Sequence, residues 1–185
     1  MKKPRKNNLR SRFTTTAIKN ALLDTLRTKE FSRITVAELC THADIHRTTF
    51  YLHYSRIDDV LQEVIDDALA EIGEVFDQFP YCIEDTSTKT PLCQFIRNNK
   101  MYQPLFLDQT IADYFIGKAG SHYKHSYVER VSAQLGIPTG QAESIFWFQI
   151  HGCFALAKHN IASPDDQWEK TKRTIDSFIF RGMSK

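Results

Sequence analysis

The chain has 185 residues, 42% of them apolar, 25% charged and 12% aromatic, and a net charge of +2 at pH 7. That is the composition of a soluble globular protein with a well-buried core, and it excludes intrinsic disorder, collagen-like repeats and a disulfide-dense miniprotein. The small net charge hides a division: residues 1–56 hold 12 Lys/Arg against 4 Asp/Glu, whereas residues 57–185 hold 12 against 18. One end is suited to a polyanion and the other is not. No run approaches the ~20 apolar residues of a membrane span. The opening MKKPRKNNLRSR is charged and lacks the apolar segment of a secretory signal.

With 7 Gly, 6 Pro and no alternating run of useful length, the chain reads as all-helical, with about nine helices. A first helix is expected to open at Thr14-Thr15-Thr16, whose hydroxyls can cap free N–H groups. It would bury Ile18, Ala21, Leu22 and Leu26 on one face. Ahead of it, Lys2, Lys3, Arg5, Lys6, Arg10 and Arg12 form a basic arm. Thr35 is the expected cap of a short second helix carrying Val36, Leu39 and Cys40. THADI makes a tight connection to a third short helix over about residues 46–52.

A long fourth helix should carry Leu61, Ile65, Leu69, Ile72, Phe76 and Phe79 as a stripe and end at Pro80. Asp58 and Asp59 lie at the positive end of its dipole. Residues 81–90 read as a polar loop. Past Pro91, Phe95 and Ile96 mark a helix, a break falls near residues 102–104, and Ile111, Tyr114 and Phe115 begin another. Gly117 and Gly120 are expected to interrupt it, with a further helix over 121–135. IFWFQIHGCFALA (145–157) is apolar nearly all round and should be buried on more than one side. After Ser163-Pro164 a last helix places Trp168, Ile175, Phe178 and Ile179 on one stripe. Two such helices favour a helix-bundle dimer interface, with intramolecular packing as the rival reading.

Residues 35–51, TVAELCTHADIHRTTFY, have the layout of a helix-turn-helix. Val36, Leu39, Ile45 and Phe50 can lock two short helices together, leaving His46, Arg47, Thr48 and Thr49 at the start of the second. That end of a recognition helix reaches base edges in the major groove, where Arg47 could grip guanine or a phosphate and Thr48 a thymine methyl.

The wider stretch 18–61, IKNALLDTLRTKEFSRITVAELCTHADIHRTTFYLHYSRIDDVL, resembles the DNA-binding domain of tetracycline-repressor (TetR) family regulators. The match runs through the first amphipathic helix, Phe31, ITVAELCTHADI, TTFYLHY and DDVL. The resemblance implies a three-helix head over residues 1–56, joined through the fourth helix to a ligand-binding and dimerisation domain over 57–185. It implies a homodimer on palindromic double-stranded operator DNA, released or retained by a small-molecule effector. It places Thr35, His46, Arg47, Thr48, Tyr51, His53 and Arg56 at DNA, with Thr35, Tyr51 and His53 on backbone phosphate. Three positions depart from the family pattern. A frequent turn glycine is Asp44, and Tyr54 replaces a buried phenylalanine, so its hydroxyl needs a partner. A phosphate-binding lysine aligns with Ile57, for which Arg56 would substitute. FIRNNKMYQPLFL and FQIHGCFALAKHNIASPDDQWEKTKRTI resemble a subgroup that includes dihydroxyacetone kinase regulators, with His151-Gly152 where that subgroup often has Gly-Gly.

For the effector, Tyr102, Phe106, Tyr114, Trp147 and His151 are the candidate lining, with Phe76, Phe79, Phe115, Phe148 and Phe154 as further aromatics. An aromatic core is the plainer account of most of them. A second functional reading is a transcriptional co-regulator whose C-terminal domain binds a partner protein. No metal is expected, because His42/His46 and His122/His125 lack a further ligand at a recognisable spacing. No cofactor or enzyme activity is expected: there is no Gly-rich phosphate loop, GxSxG, HExxH or paired-carboxylate motif. Cys40, Cys82, Cys93 and Cys153 have no CxxC spacing, so reduced thiols and a cytoplasmic location are expected. Cys40, Cys93 and Cys153 read as small core residues, with a Cys82–Cys93 redox pair as the alternative.

Overall fold

The structure, a computed structural model, describes residues 6–77 and 92–183. Lys2, Lys3, Arg5, Phe79, Pro80, Cys82, the loop expected over 81–90 and the side chain of Phe76 lie outside the described part. Among the described residues all regular structure is helical, in nine α-helices. In the first half these are α1 (Lys6–Leu26), α2 (Val36–His42), α3 (Arg47–Tyr51) and α4 (Ile57–Asp77), with a 3-10 turn at Phe31–Arg33. The second half contains α5 (Leu92–Asn98), α6 (Gln103–Leu107), α7 (Gln109–Leu135), α8 (Thr139–His159) and α9 (Asp165–Met183). None is long and apolar enough to cross a membrane. The chain divides into two compact units, Met1–Ala70 and Glu71–Lys185.

In the first unit, α1 begins at Lys6, ahead of the threonine cluster expected to start it. Thr14 and Thr15 donate to the carbonyls of Arg10 and Arg12, at 3.0 and 3.1 Å. Their hydroxyls are thus absorbed by the preceding turn of the same helix and cap nothing. Arg10 and Arg12 are consequently helical, and both are exposed. Ile18, Leu22, Leu39, Phe50, Val60 and Ile65 are fully buried and form the centre of this unit. The division between the units falls inside α4, beyond residue 56 where the charge changes sign. Val60, Val64, Ile65 and Ala68 are all buried on the head's side of that division, so the first turns of α4 complete its apolar interior.

Tyr54 is buried, and its hydroxyl finds the partner it needs by donating to Glu63 Oε2 at 2.7 Å. Lys19 Nζ reaches the other oxygen of Glu63 at 3.0 Å and Asp67 at 2.5 Å. One polar network therefore ties α1, the end of α3 and α4.

The second unit is a helical bundle in which α8 packs on α5, α6 and α7. The break before residue 104 is present, and Pro104 sits in the first turn of α6, where its missing N–H costs nothing. Contrary to the sequence reading, α7 runs unbroken through Gly117 and Gly120. Gly120 serves a close approach: a Cβ there would lie 2.5 Å from Cη2 of Trp147. Helix α7 ends at Gly136, which takes a left-handed φ of 65°.

Helix α8 is also less buried than its composition suggested. Phe146, Ile150, Phe154 and Ala157 face inward, but Phe148 is 67% exposed and His151 is exposed. On α9, Trp168 is buried whereas Phe178 is 66% exposed. Arg97 of α5 fastens the chain between α8 and α9. It donates to the carbonyls of Asn160 (3.3 Å) and Ser163 (2.5 Å), pairs with Asp165 (2.8 Å) and lies 5.4 Å over the Trp168 ring. The Trp168 indole N–H donates to Gln94.

Candidate functional site

The pair of short helices α2 and α3, with the connection between them, is built from local rules. Helix α2 starts with a full capping box: Thr35 Oγ1 accepts from the Glu38 N–H at 3.3 Å, and Glu38 Oε2 accepts from the Thr35 N–H at 3.0 Å. Lys29 pairs with the other oxygen of Glu38 at 2.6 Å. The hydrogen bond from Lys29, then those from Thr35, hold the Glu38 carboxyl below its ordinary value.

Helix α2 ends in a Schellman motif, with Ile45 N–H on the Cys40 carbonyl (2.9 Å) and Asp44 N–H on that of Thr41 (3.3 Å). The motif requires a left-handed residue, and Asp44 fills that place at φ 52°. It is the one non-glycine residue with positive φ among those described. The chain then turns through His46, whose extended backbone precedes α3.

Phe50, fully buried, pins α3 to the head, packing at 5.5 Å against Tyr51 and 5.8 Å against Tyr54. Its burial turns the opposite side of this short helix outward. His46, Arg47, Thr48 and Tyr51 are all exposed and His53 is half-buried. Arg56 is exposed beside the start of α4, where the Ser55 and Arg56 N–H groups bind the Asp59 carboxylate at 2.8 and 2.9 Å. Thr35 is exposed, and its hydroxyl also donates to Glu38 at 2.9 Å. Leu52, 82% exposed next to Tyr51, was not singled out from the sequence. Its only signal there is a leucine two residues past a buried phenylalanine.

The five candidate effector residues are not brought into one cavity. Tyr102 and Phe106 are buried and Tyr114 is 46% exposed on α7. Trp147 is half-buried, lying over Gly120 and 5.9 Å from Lys124 Nζ. Phe106, Phe115 and Phe154 form a buried cluster with centroids 5.2–5.7 Å apart. Phe106 and His151 do share a groove of about 520 Å³ between α6, α7 and α8. Its polar lining is Gln109, Asp113, Lys158 and His159. The i, i+4 spacing of Gln109 with Asp113, and the i, i+7 and i, i+8 spacing of His151 with Lys158 and His159, could have marked that face.

A larger groove of about 810 Å³ runs between α8 and α9, lined by Ile145, Phe148, Gln149, Thr174, Ser177 and Phe178 among others. Beneath it Gln149, a buried amide, accepts from the Tyr127 hydroxyl at 2.6 Å. Among the described residues no three His, Cys, Asp or Glu side chains gather as a metal site. His42 lies 4.0 Å from Asp24, and His125 lies 3.3 Å from Glu129.

No protein-family model, no curated protein and no solved structure matches this chain.

Proposed function

We propose that the protein is a sequence-specific DNA-binding transcriptional regulator of the TetR type, a repressor acting as a homodimer and responding to a small-molecule effector. The observation that carries the reading is the outward face of α3, where His46, Arg47, Thr48 and Tyr51 stand free of the core on a helix pinned by Phe50. A helix-turn-helix reads bases with this end of its second helix. Exposed Arg10, Arg12 and Arg56 supply phosphate contacts from the same unit, and the positive surplus of residues 1–56 supplies long-range attraction.

Selection from a random duplex pool, followed by gel shifts against competitor DNA, tests this. One enriched, two-fold symmetric sequence is expected. With about six phosphate contacts its affinity should fall on the order of 10³-fold between about 50 and 200 mM salt. Arg47→Ala should weaken binding by about 1–3 kcal/mol, and it relaxes specificity at one position if Arg47 reads guanine. Equal binding to every duplex would sink the operator reading.

The dimer rests on the α8/α9 groove, where two exposed phenylalanines flank an apolar trough. For the effector, the groove holding Phe106 and His151 is the better-placed site. Should the chain stay monomeric at micromolar concentration, the α8/α9 face would instead suit a different protein, and the co-regulator reading would gain.

A further inference from the structure

We propose that Cys93 and Cys153 are an oxidisable pair, which a peroxide converts into a disulfide joining α5 to α8. Cys93 lies on the buried side of α5 with Leu92 and Ile96 and is 3% exposed. Cys153 lies three residues past Ile150 and four before Ala157, on the inward side of α8, and is half-buried. The two helices pack directly, and the Cys153 thiol hydrogen-bonds the Cys93 sulfur. That hydrogen bond holds Cys93 below the ordinary thiol value, against burial and the nearby Asp176 carboxylate. At 3.6 residues per turn Cys153 sits about 140° around α8 from Phe148, so the pair does not rest on the exposed phenylalanine assigned to a second copy. Nor does it depend on the DNA-binding reading.

The chemistry closes with a hydroperoxide as the oxidant. Cys93, favoured as thiolate by the hydrogen bond, first releases its proton to solvent; the Cys153 proton then passes along that bond to Cys93, leaving the thiolate on Cys153, the sulfur that solvent reaches. The Cys153 thiolate attacks a peroxide oxygen, an S–O bond forms, the O–O bond breaks, and the departing hydroxide takes a proton from solvent as water. Cys93 then attacks the Cys153 sulfenic acid. An S–S bond forms, the S–O bond breaks, and the Cys93 proton leaves with the hydroxyl as a second water. The two sulfurs give up the two electrons that the peroxide gains.

Reduced full-length protein is treated with hydrogen peroxide, free thiols are alkylated, and the peptides are mapped by mass spectrometry. The expected product is a linked Cys93–Cys153 peptide, lacking two hydrogens and restored by dithiothreitol, with Cys40 and Cys82 still alkylated. In Cys93→Ser, Cys153 should stop at a sulfenic acid that dimedone traps. In Cys153→Ser, a gentler change at a half-buried site, Cys93 should resist peroxide. A Cys82–Cys93 link, a link between chains, or no reaction where free cysteine reacts would overturn the proposal. So would Cys93 in Cys153→Ser oxidising at the rate seen in the unsubstituted protein.

Discussion

At the scale of single residues, two positions show how backbone demand and burial decide stability. Asp44 occupies a left-handed conformation that costs an L-residue roughly 1–2 kcal/mol, less for aspartate than for most. Asp44→Gly should therefore stabilise the head by about 0.5–1 kcal/mol, and Asp44→Val should destabilise it by about 1–2 kcal/mol. Urea denaturation followed by circular dichroism reads both, and equal midpoints would contradict the strain. Both tryptophans, Trp147 and Trp168, lie in the second unit, so their fluorescence does not report the head.

The network around Tyr54 makes a prediction about pH. Burial, then the Glu63 hydrogen bond and the Glu63 and Asp67 charges, push the Tyr54 phenol well above its usual range. Burial opposes the Lys19 ammonium, but hydrogen bonds and charge from Asp67 and Glu63 outweigh it and raise the group. Burial likewise works to raise Glu63, yet hydrogen bonds from Tyr54 and Lys19 hold it below 4.5. Raised groups stabilise fully below their unfolded values and lose that contribution as pH climbs through the folded ones. The lowered Glu63 stabilises above its unfolded value and loses its contribution as pH falls. The head's urea midpoint should thus be level between about pH 6 and 9, falling below about 4.5 and above about 10. Tyr54→Phe should cost about 1 kcal/mol, because Glu63 remains partly solvated, and it should shrink the alkaline fall.

The fate of these residues also shows what a sequence can disclose. Thr35, Asp44 and Tyr54 were legible because each role is local, a cap, a turn or a hydroxyl that must be satisfied. Arg97 was not, since its partners Asn160, Ser163 and Asp165 lie 63–68 residues away.

At the scale of elements, α1 and α7 expose the limits of punctuation by residue type. A threonine run and two glycines looked like boundaries, and neither ends a helix, because tertiary packing overrides propensities of ~1 kcal/mol. The two glycines of α7 differ physically in a way no local pattern reveals. Nothing lies within 4 Å of a Cβ at Gly117, whereas one at Gly120 would overlap the Trp147 ring. Gly117→Ala should therefore stabilise the second unit by about 0.5–1 kcal/mol through helix propensity alone. Gly120→Ala should destabilise it by about 1–3 kcal/mol and expel Trp147 from its seat over α7. A red-shifted tryptophan emission in Gly120→Ala only, with opposite shifts in thermal midpoint, is the expected pattern. If both substitutions stabilise, the Trp147 contact is not holding α7 to α8.

At the scale of the whole molecule, the all-helical class and the short helices α2 and α3 followed from periodicity and capping, while the α8/α9 face emerges only from the packing. Apolar composition marked α8 as buried on more than one side and gave α9 a single apolar stripe. Only their placement shows that Phe148 and Phe178 remain uncovered while Trp168 and Phe146 do not. An uncovered phenylalanine forgoes about 2 kcal/mol of burial, and a two-fold axis repeats any such gain in the second copy. If the protein is the proposed dimer, Phe148→Glu and Phe178→Glu should each leave it monomeric by sedimentation at micromolar concentration. Because both rings are solvated in the single chain, the thermal midpoint of the monomer should change little. If the protein binds a two-fold symmetric operator as proposed, each variant should also bind it more weakly than the unsubstituted protein, since the two heads would no longer be linked. Variants that remain dimeric, or that lose their fold along with dimerisation, would show that α8 and α9 serve only the interior of one chain.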